Sequence, residues 1–349
     1  MTRRSRGRGA ALGLAVAALA LTAAAPAAPP LRAMAWLAPG TDPVAAMTRA
    51  PAECYAPSAD ADARWLEEAG RAAFRTPLLL GGQAARAGVS CETCHRSGRT
   101  NPAFDFPGVS LGRPGSADVT SSVFSSHRGD GIDNPVPIPD LGGPRAALKV
   151  SQAVPGRALE TFIHGLVTQE FDGAEPPPAI LDGLAAYVRA LRPEACPAGG
   201  DRPVTLAGTF DDADLALAAA LGGLGRRDPA SAALLIGAAR SALGRIDERY
   251  AAPELAPLRR RLRAADLELA AAQAAVRRGD PAAAEAIILW RARSGALRAG
   301  LAAREDRSLF SAARLARTIS ARSGGPAGPP AAAAQPPRLP GAPRPGAAP

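Results

Sequence analysis

The sequence predicts an all-α chain built in two parts, and three observations carry that prediction. Apolar residues recur at helical spacing in 62–74, 156–167 and 178–192, and again in five longer stretches after residue 201. Between the first two lies a long stretch, 96–155, rich in Gly, Pro, Ser and Asp and without periodicity. Just ahead of it stands Cys91-Glu92-Thr93-Cys94-His95, the Cys-x-x-Cys-His spacing that attaches a c-type haem.

The motif sets the chemistry expected of the first part. Two cysteine sulfurs about one helical turn apart reach both vinyl groups of one haem, and the histidine that follows turns its imidazole to the iron. A bare Cys-x-x-Cys would leave zinc, a redox dithiol and haem open. His95 narrows the choice, and no second Cys-x-x-Cys stands in the chain to complete a zinc site. The alternatives for the pentapeptide are a disulfide or a zinc half-site. One covalently bound haem c on Cys91, Cys94 and His95 is therefore expected. The architecture to match is a c-type cytochrome domain with long loops around the haem, then an antiparallel helical bundle and a disordered tail.

In chain order, 1–28 reads as an export signal. Arg3, Arg4, Arg6 and Arg8 precede an uncharged apolar run over 10–25, and Ala25-Pro26-Ala27 offers small residues for cleavage. An uncleaved membrane anchor is the rival reading, weakened by so short an alanine-rich run. Either way the rest of the chain leaves the cytoplasm, and the expected compartment is the periplasm, where bacteria attach haem c. Residues 29–60, rich in Pro and Ala, are expected to be irregular.

The haem domain is drawn over 61–200. Trp65, Leu66, Ala69 and Ala73 set a helix over 62–74 that Pro77 ends. Gly70 on it would admit a second helix closely, and Phe74 would cover the haem edge. The unpatterned 96–155 would usually argue disorder or a missed element, but here it has a porphyrin to fold over. Leu159, Phe162, Ile163 and Leu166 mark the helix over 156–167. Pro176-Pro177-Pro178 starts the next, where Ile180, Leu184, Tyr187, Val188 and Leu191 form one face until Pro193; its Tyr187 would meet Gly70 and Phe74. Cys54 and Cys196 bracket the domain, and in an oxidising compartment a disulfide between them is expected.

Residues 201–323 hold no histidine, cysteine or methionine. Helices are expected near 211–224, 229–247, 252–278, 281–300 and 306–321, packed by leucine and alanine stripes. Arg226-Arg227-Asp228-Pro229-Ala230 and Arg278-Gly279-Asp280-Pro281-Ala282 are alike, so a repeated hairpin is expected, with Asp228 and Asp280 as N-caps before proline. Docking or support is the role expected of this part, and Arg259-Arg260-Arg261 reads as a solvated face. Residues 324–349, rich in Pro, Ala and Gly, are expected to be disordered.

The formal charge is +9, carried by arginine; Lys149 is the only lysine. A basic chain suggests nucleic acid when nothing else is known. Export with a haem argues against that, and an acidic redox partner protein fits better. Membrane contact is expected only through the export signal.

A haem iron with one histidine needs something on its other side. Met1, Met34 and Met47 all precede the motif, whereas a methionine ligand normally comes from the loop that follows it; Met47 stays open. After the motif the candidates are His127, in a glycine-flanked loop, and His164, among apolar residues, where packing at the core edge is the competing role. Arg96, Arg99 and Arg128 would pair with haem propionates or be solvated.

Gly70-Arg71-Ala72-Ala73-Phe74, Pro77-Leu78 and Ser90-Cys91 resemble the lead into the first haem of the bacterial di-haem cytochrome c peroxidases and their MauG-like relatives. Ser126-His127-Arg128-Gly129, with Asn134-Pro135 and Pro139-Asp140-Leu141, is similar to that family's loop for the distal histidine, and Glu170-Phe171 resembles the place of its distal acid. The likeness covers about 68–191. It implies that His127 leaves the iron on activation and that Glu170 moves the proton as the O–O bond of hydrogen peroxide breaks. The chain departs from the family in having one haem motif where the family has two haems, and no counterpart of the tryptophan between them. What the resemblance implies is thus a mono-haem, peroxidase-like oxidoreductase drawing electrons from an external donor. The other readings are an electron-transfer cytochrome with two histidine ligands, and a haem sensor or scaffold without turnover.

Overall fold

The structure is a computed structural model describing residues 33–127 and 129–323; the expected export signal (1–28), residues 29–32, Arg128 and the expected disordered tail (324–349) lie outside the described residues. The chain is mostly helical, as the sequence predicts, with eleven helices and two two-stranded sheets among those residues. The first part runs α1 (Pro43–Thr48), β1 (Arg49–Pro51), α2 (Ala61–Phe74), α3 (Gly82–Arg86), α4 (Cys91–Cys94), β2 (Ser116–Ala117), β3 (Val136–Pro137), α5 (Ala158–Gly165), α6 (Pro178–Ala190) and β4 (Asp201–Pro203). The second runs α7 (Leu206–Gly225), α8 (Pro229–Arg249), α9 (Ala256–Arg277), α10 (Ala283–Ala302) and α11 (Ala312–Ser323). No helix among the described residues is long and apolar enough to cross a membrane.

α2 organises the first part because two glycines let it touch α6 backbone to backbone. A Cβ on Gly70 would stand 1.9 Å from the Gly183 carbonyl oxygen. Four residues on, Phe74 meets Tyr187 edge to face, with centroids 5.2 Å apart. The Gly70–Tyr187 packing expected from the sequence is therefore present. Residues 96–155 form turns, short 3-10 segments and the β2–β3 pair, as their composition implies. The next helix departs from expectation. α5 stops at Gly165 and continues as a π-helical turn, Leu166–Glu170, so Glu170 ends a helical element and does not stand in a linker.

The N-terminal segment is less irregular than its composition suggests. Asp42 caps α1 through Val44 N at 2.8 Å, and β1 pairs antiparallel with β4, Ala50 opposite Arg202. Trp36 Nε1 donates to the Ala87 carbonyl at 2.8 Å. Backbone pairing recruits this Pro/Ala-rich chain where side-chain periodicity gives no sign of it. Cys54 and Cys196 form the expected disulfide.

In the second part the two alike turns are built alike. Asp228 N bonds the Gly223 carbonyl and Asp280 N the Ala275 carbonyl, with a left-handed residue before each, Arg227 and Gly279. This is the Schellman closure of α7 and of α9. Their N-cap roles differ. Asp228 caps α8 through Ser231 N at 3.0 Å, but Asp280 bonds Ala282 N inside the turn, and α10 starts later, at Ala283. Two other starts also shift: 3-10 turns occupy Pro253–Leu255 and Glu305–Arg307 ahead of α9 and α11. At the front, α7 begins at Leu206, capped by Thr205. Arg259 is anchored on Asp247 at 2.8 Å and is not part of a solvated face; Arg260 and Arg261 are exposed.

One apolar cluster runs through both parts, from Ala69 to Phe310. At the junction Trp65 Nε1 donates to the Ala219 carbonyl at 2.9 Å, and the Arg226 guanidinium lies 4.2 Å over the Trp65 ring.

Candidate haem site

Cys91 and Cys94 sit on α4 and His95 is its C-cap; the start of the helix is fixed by a reciprocal capping box between Ser90 and Thr93. Asn101 Nδ2 adds a bond to the Thr93 carbonyl at 2.8 Å. Cys91 and Cys94 are half-buried free thiols and are not bonded to each other. Burial pushes both up to about 12, so they are protonated at neutral pH. Among the described residues no three His, Cys, Asp or Glu side chains converge as a metal site, so a zinc half-site lacks its further ligands.

His95 is the most informative group. Its Nδ1 lies 3.0 Å from the Pro139 carbonyl oxygen. A carbonyl only accepts, so Nδ1 carries the proton and Nε2 keeps its lone pair. Burial lowers the imidazole to about 4, against the opposing pull of the Pro139 carbonyl and Asp140, so the ring is neutral at physiological pH. A neutral imidazole of fixed tautomer, two residues' thiols beside it on one short helix and the Phe74 ring 6.4 Å away fit a covalently held haem. Pro139 thus brings the segment that follows the His127 loop against His95.

His127 and Glu170 come from segments stitched to each other. Ser125 Oγ donates to the Gln169 carbonyl, and Ser126 N and Oγ both donate to Asp172 Oδ1, at 2.9 and 3.0 Å. His127 Nε2 lies 3.7 Å from Asp172 Oδ1 with its side chain 58% exposed. Glu170 is buried. Phe124 and Phe171, adjoining these segments, pack ring to ring in a tilted arrangement with centroids 5.5 Å apart, and Phe106 packs on Phe124 at 4.7 Å.

The remaining ligand candidates lie elsewhere. His164 is half-exposed and bonds Glu175 through Nε2 at 2.8 Å. Met34 and Met47 line a cavity of about 270 Å³ that Glu92, Thr93 and Arg96 also line and that Cys91, Cys94 and His95 do not. Among the arginines proposed for propionates, Arg96 donates to the Arg49 carbonyl and Arg99 grips Asp140 at 2.7 Å.

Sequence reasoning missed a buried charge cluster behind α4. Glu53 accepts from Arg71 at 2.5 Å, Arg75 at 2.9 Å and the Tyr187 hydroxyl at 2.6 Å. Arg75 also faces Glu92 at 3.8 Å and Asp212 of α7 at 3.5 Å, tying the motif helix to the second part. Burial alone would raise the Glu53 carboxyl, but Arg75 and Arg71 hold it at about 2. In a chain with so many arginines, nothing local distinguishes Arg75.

No family model matches the chain, and no curated protein or solved structure matches it either.

Proposed function

We propose that the chain is an exported mono-haem c-type cytochrome acting as a peroxidase-like oxidoreductase, related to the di-haem cytochrome c peroxidases. One observation carries the haem assignment: His95 Nδ1 is committed to the Pro139 carbonyl at 3.0 Å, which leaves Nε2 for iron beside two free thiols. Cys91 and Cys94 would form the thioethers and His95 would be the axial ligand. The haem supplies an iron able to bind and reduce peroxide. Around it, the exposed His127 loop is the gate and the buried Glu170 the proton carrier; the bonds joining 125–126 to Gln169 and Asp172 support a shared site. With a single motif, electrons come from an external donor. The chain stays basic without the signal, since the +9 of the whole sequence less Arg3, Arg4, Arg6 and Arg8 leaves +5, and this favours an acidic redox protein. The Cys54–Cys196 disulfide supports an oxidising compartment, and periplasmic residence follows from the export signal.

Absorption and EPR spectra of the purified mature protein, oxidised and reduced and then with peroxide, test this. The expected result is a c-type haemochrome whose iron is high-spin, or becomes so on reduction, and reacts with peroxide. His127→Ala alters the iron spectrum in this reading. A low-spin iron inert to peroxide in both states identifies an electron carrier with a permanent histidine ligand, and absence of covalent haem overturns the assignment. Glu170→Gln is expected to lower peroxide turnover by about 10²-fold or more while leaving haem attachment intact; full turnover removes Glu170 from the mechanism.

A further inference from the structure

The loop that meets His95 is held by more than its own backbone. Arg99, on the turn just after the motif, grips Asp140 with Nε at 2.7 and 2.8 Å from the two carboxylate oxygens. Its Nη2 adds a contact to Oδ2 at 2.7 Å. The third guanidinium nitrogen, Nη1, lies 3.0 Å from Cys54 Sγ and 3.6 Å from Cys196 Sγ, so the disulfide backs the fork. Asp140 is the residue after Pro139, and its carboxylate also accepts from Gly142 N at 2.9 Å. Gly142 N reaches the Gly98 carbonyl at 3.2 Å, and a Cβ there would stand 3.1 Å from Cys54 Cβ and 3.2 Å from Arg99 Cδ. The peptide carrying the Pro139 carbonyl is thus clamped between the motif turn and the disulfide.

We propose that the Arg99–Asp140 pair positions the axial ligand: by holding the Pro139 carbonyl against His95 Nδ1 it sets how strongly His95 donates to the iron. This rests on the haem assignment above. A guanidinium–carboxylate fork is directional, so it fixes the loop in orientation as well as distance. A firm bond from Nδ1–H makes the imidazole more electron-rich and favours ferric iron; a loosened one raises the reduction potential. Arg99 and Asp140 touch neither substrate nor iron in this account. They act through Pro139 and His95.

Two variants test it, with the midpoint potential as readout. Asp140→Asn removes the carboxylate's charge and its fork. Arg99→Lys keeps both charges and removes the planar grip together with the Nη1 contact to the disulfide, and as the milder change it guards against a variant that fails to fold. The expected result is an upward shift of potential in both, with covalent haem retained. Unchanged potentials with haem attached, even with lowered thermal stability, would reduce the pair to loop closure and overturn the proposal. A wild-type protein without a c-type haemochrome spectrum would sink the haem assignment and this proposal with it.

Discussion

Replacing Gly70 with alanine is expected to destabilise the protein by about 3 kcal/mol or more. The new Cβ would lie 1.9 Å from the Gly183 carbonyl oxygen, 2.1 Å from its carbon and 2.5 Å from Leu184 N. All three are backbone atoms inside α6, so relief requires the helices to separate. On an isolated helix the same change gains up to about 1 kcal/mol, so packing and propensity pull in opposite directions and packing wins by a wide margin. Separation would also draw Tyr187 from Phe74, and with it the ring nearest His95. Urea unfolding of Gly70→Ala measures the effect; unchanged or increased stability would show that α2 and α6 do not meet at these glycines.

The second large effect concerns the buried cluster. Glu53→Gln is expected to cost about 3–5 kcal/mol at neutral pH, because Arg71 and Arg75 lose the carboxylate they share while staying largely buried. The same group predicts an acid limb. Its carboxyl sits at about 2 in the fold against 4.5 ordinarily, so the unfolded chain binds the proton more readily. The contribution, roughly 3 kcal/mol, is complete above the ordinary value and is lost as pH falls toward the folded one. Unfolding free energies across that range should fall more steeply in the native protein than in Glu53→Gln. Parallel curves would mean that the Glu53 carboxyl titrates normally.

Parts of this molecule announce themselves locally. The Cys91–His95 motif is legible because its whole pattern lies within five residues. The helix over 62–74 is legible because Trp65, Leu66, Ala69 and Ala73 repeat with the turn, and α8 because Asp228-Pro229 is both cap and first residue. Asp280-Pro281 carries the same letters and misleads, since its carboxylate serves the turn and the helix starts two residues later. The partner of His95 lies 44 residues away in a stretch with no period, so only the fold brings it close. Glu53, Arg75 and Asp212 are distant in the same way, and pairing over such spans leaves no mark on any window of sequence.

The disulfide has a topological consequence. Cys54 and Cys196 are 142 positions apart, so the chain between them is a covalently closed ring holding the motif, His127 and Glu170 together. Beside the knot the incoming and outgoing strands run together, Ala52 N bonded to the Gly200 carbonyl and Ala50 opposite Arg202. A single proteolytic cut anywhere in the ring leaves one molecule, and the pieces part only when a thiol reductant is added. Seen from the helices that follow, the ring is an excursion: the polypeptide leaves near Pro51, closes on itself, and resumes at Asp201 almost where it departed.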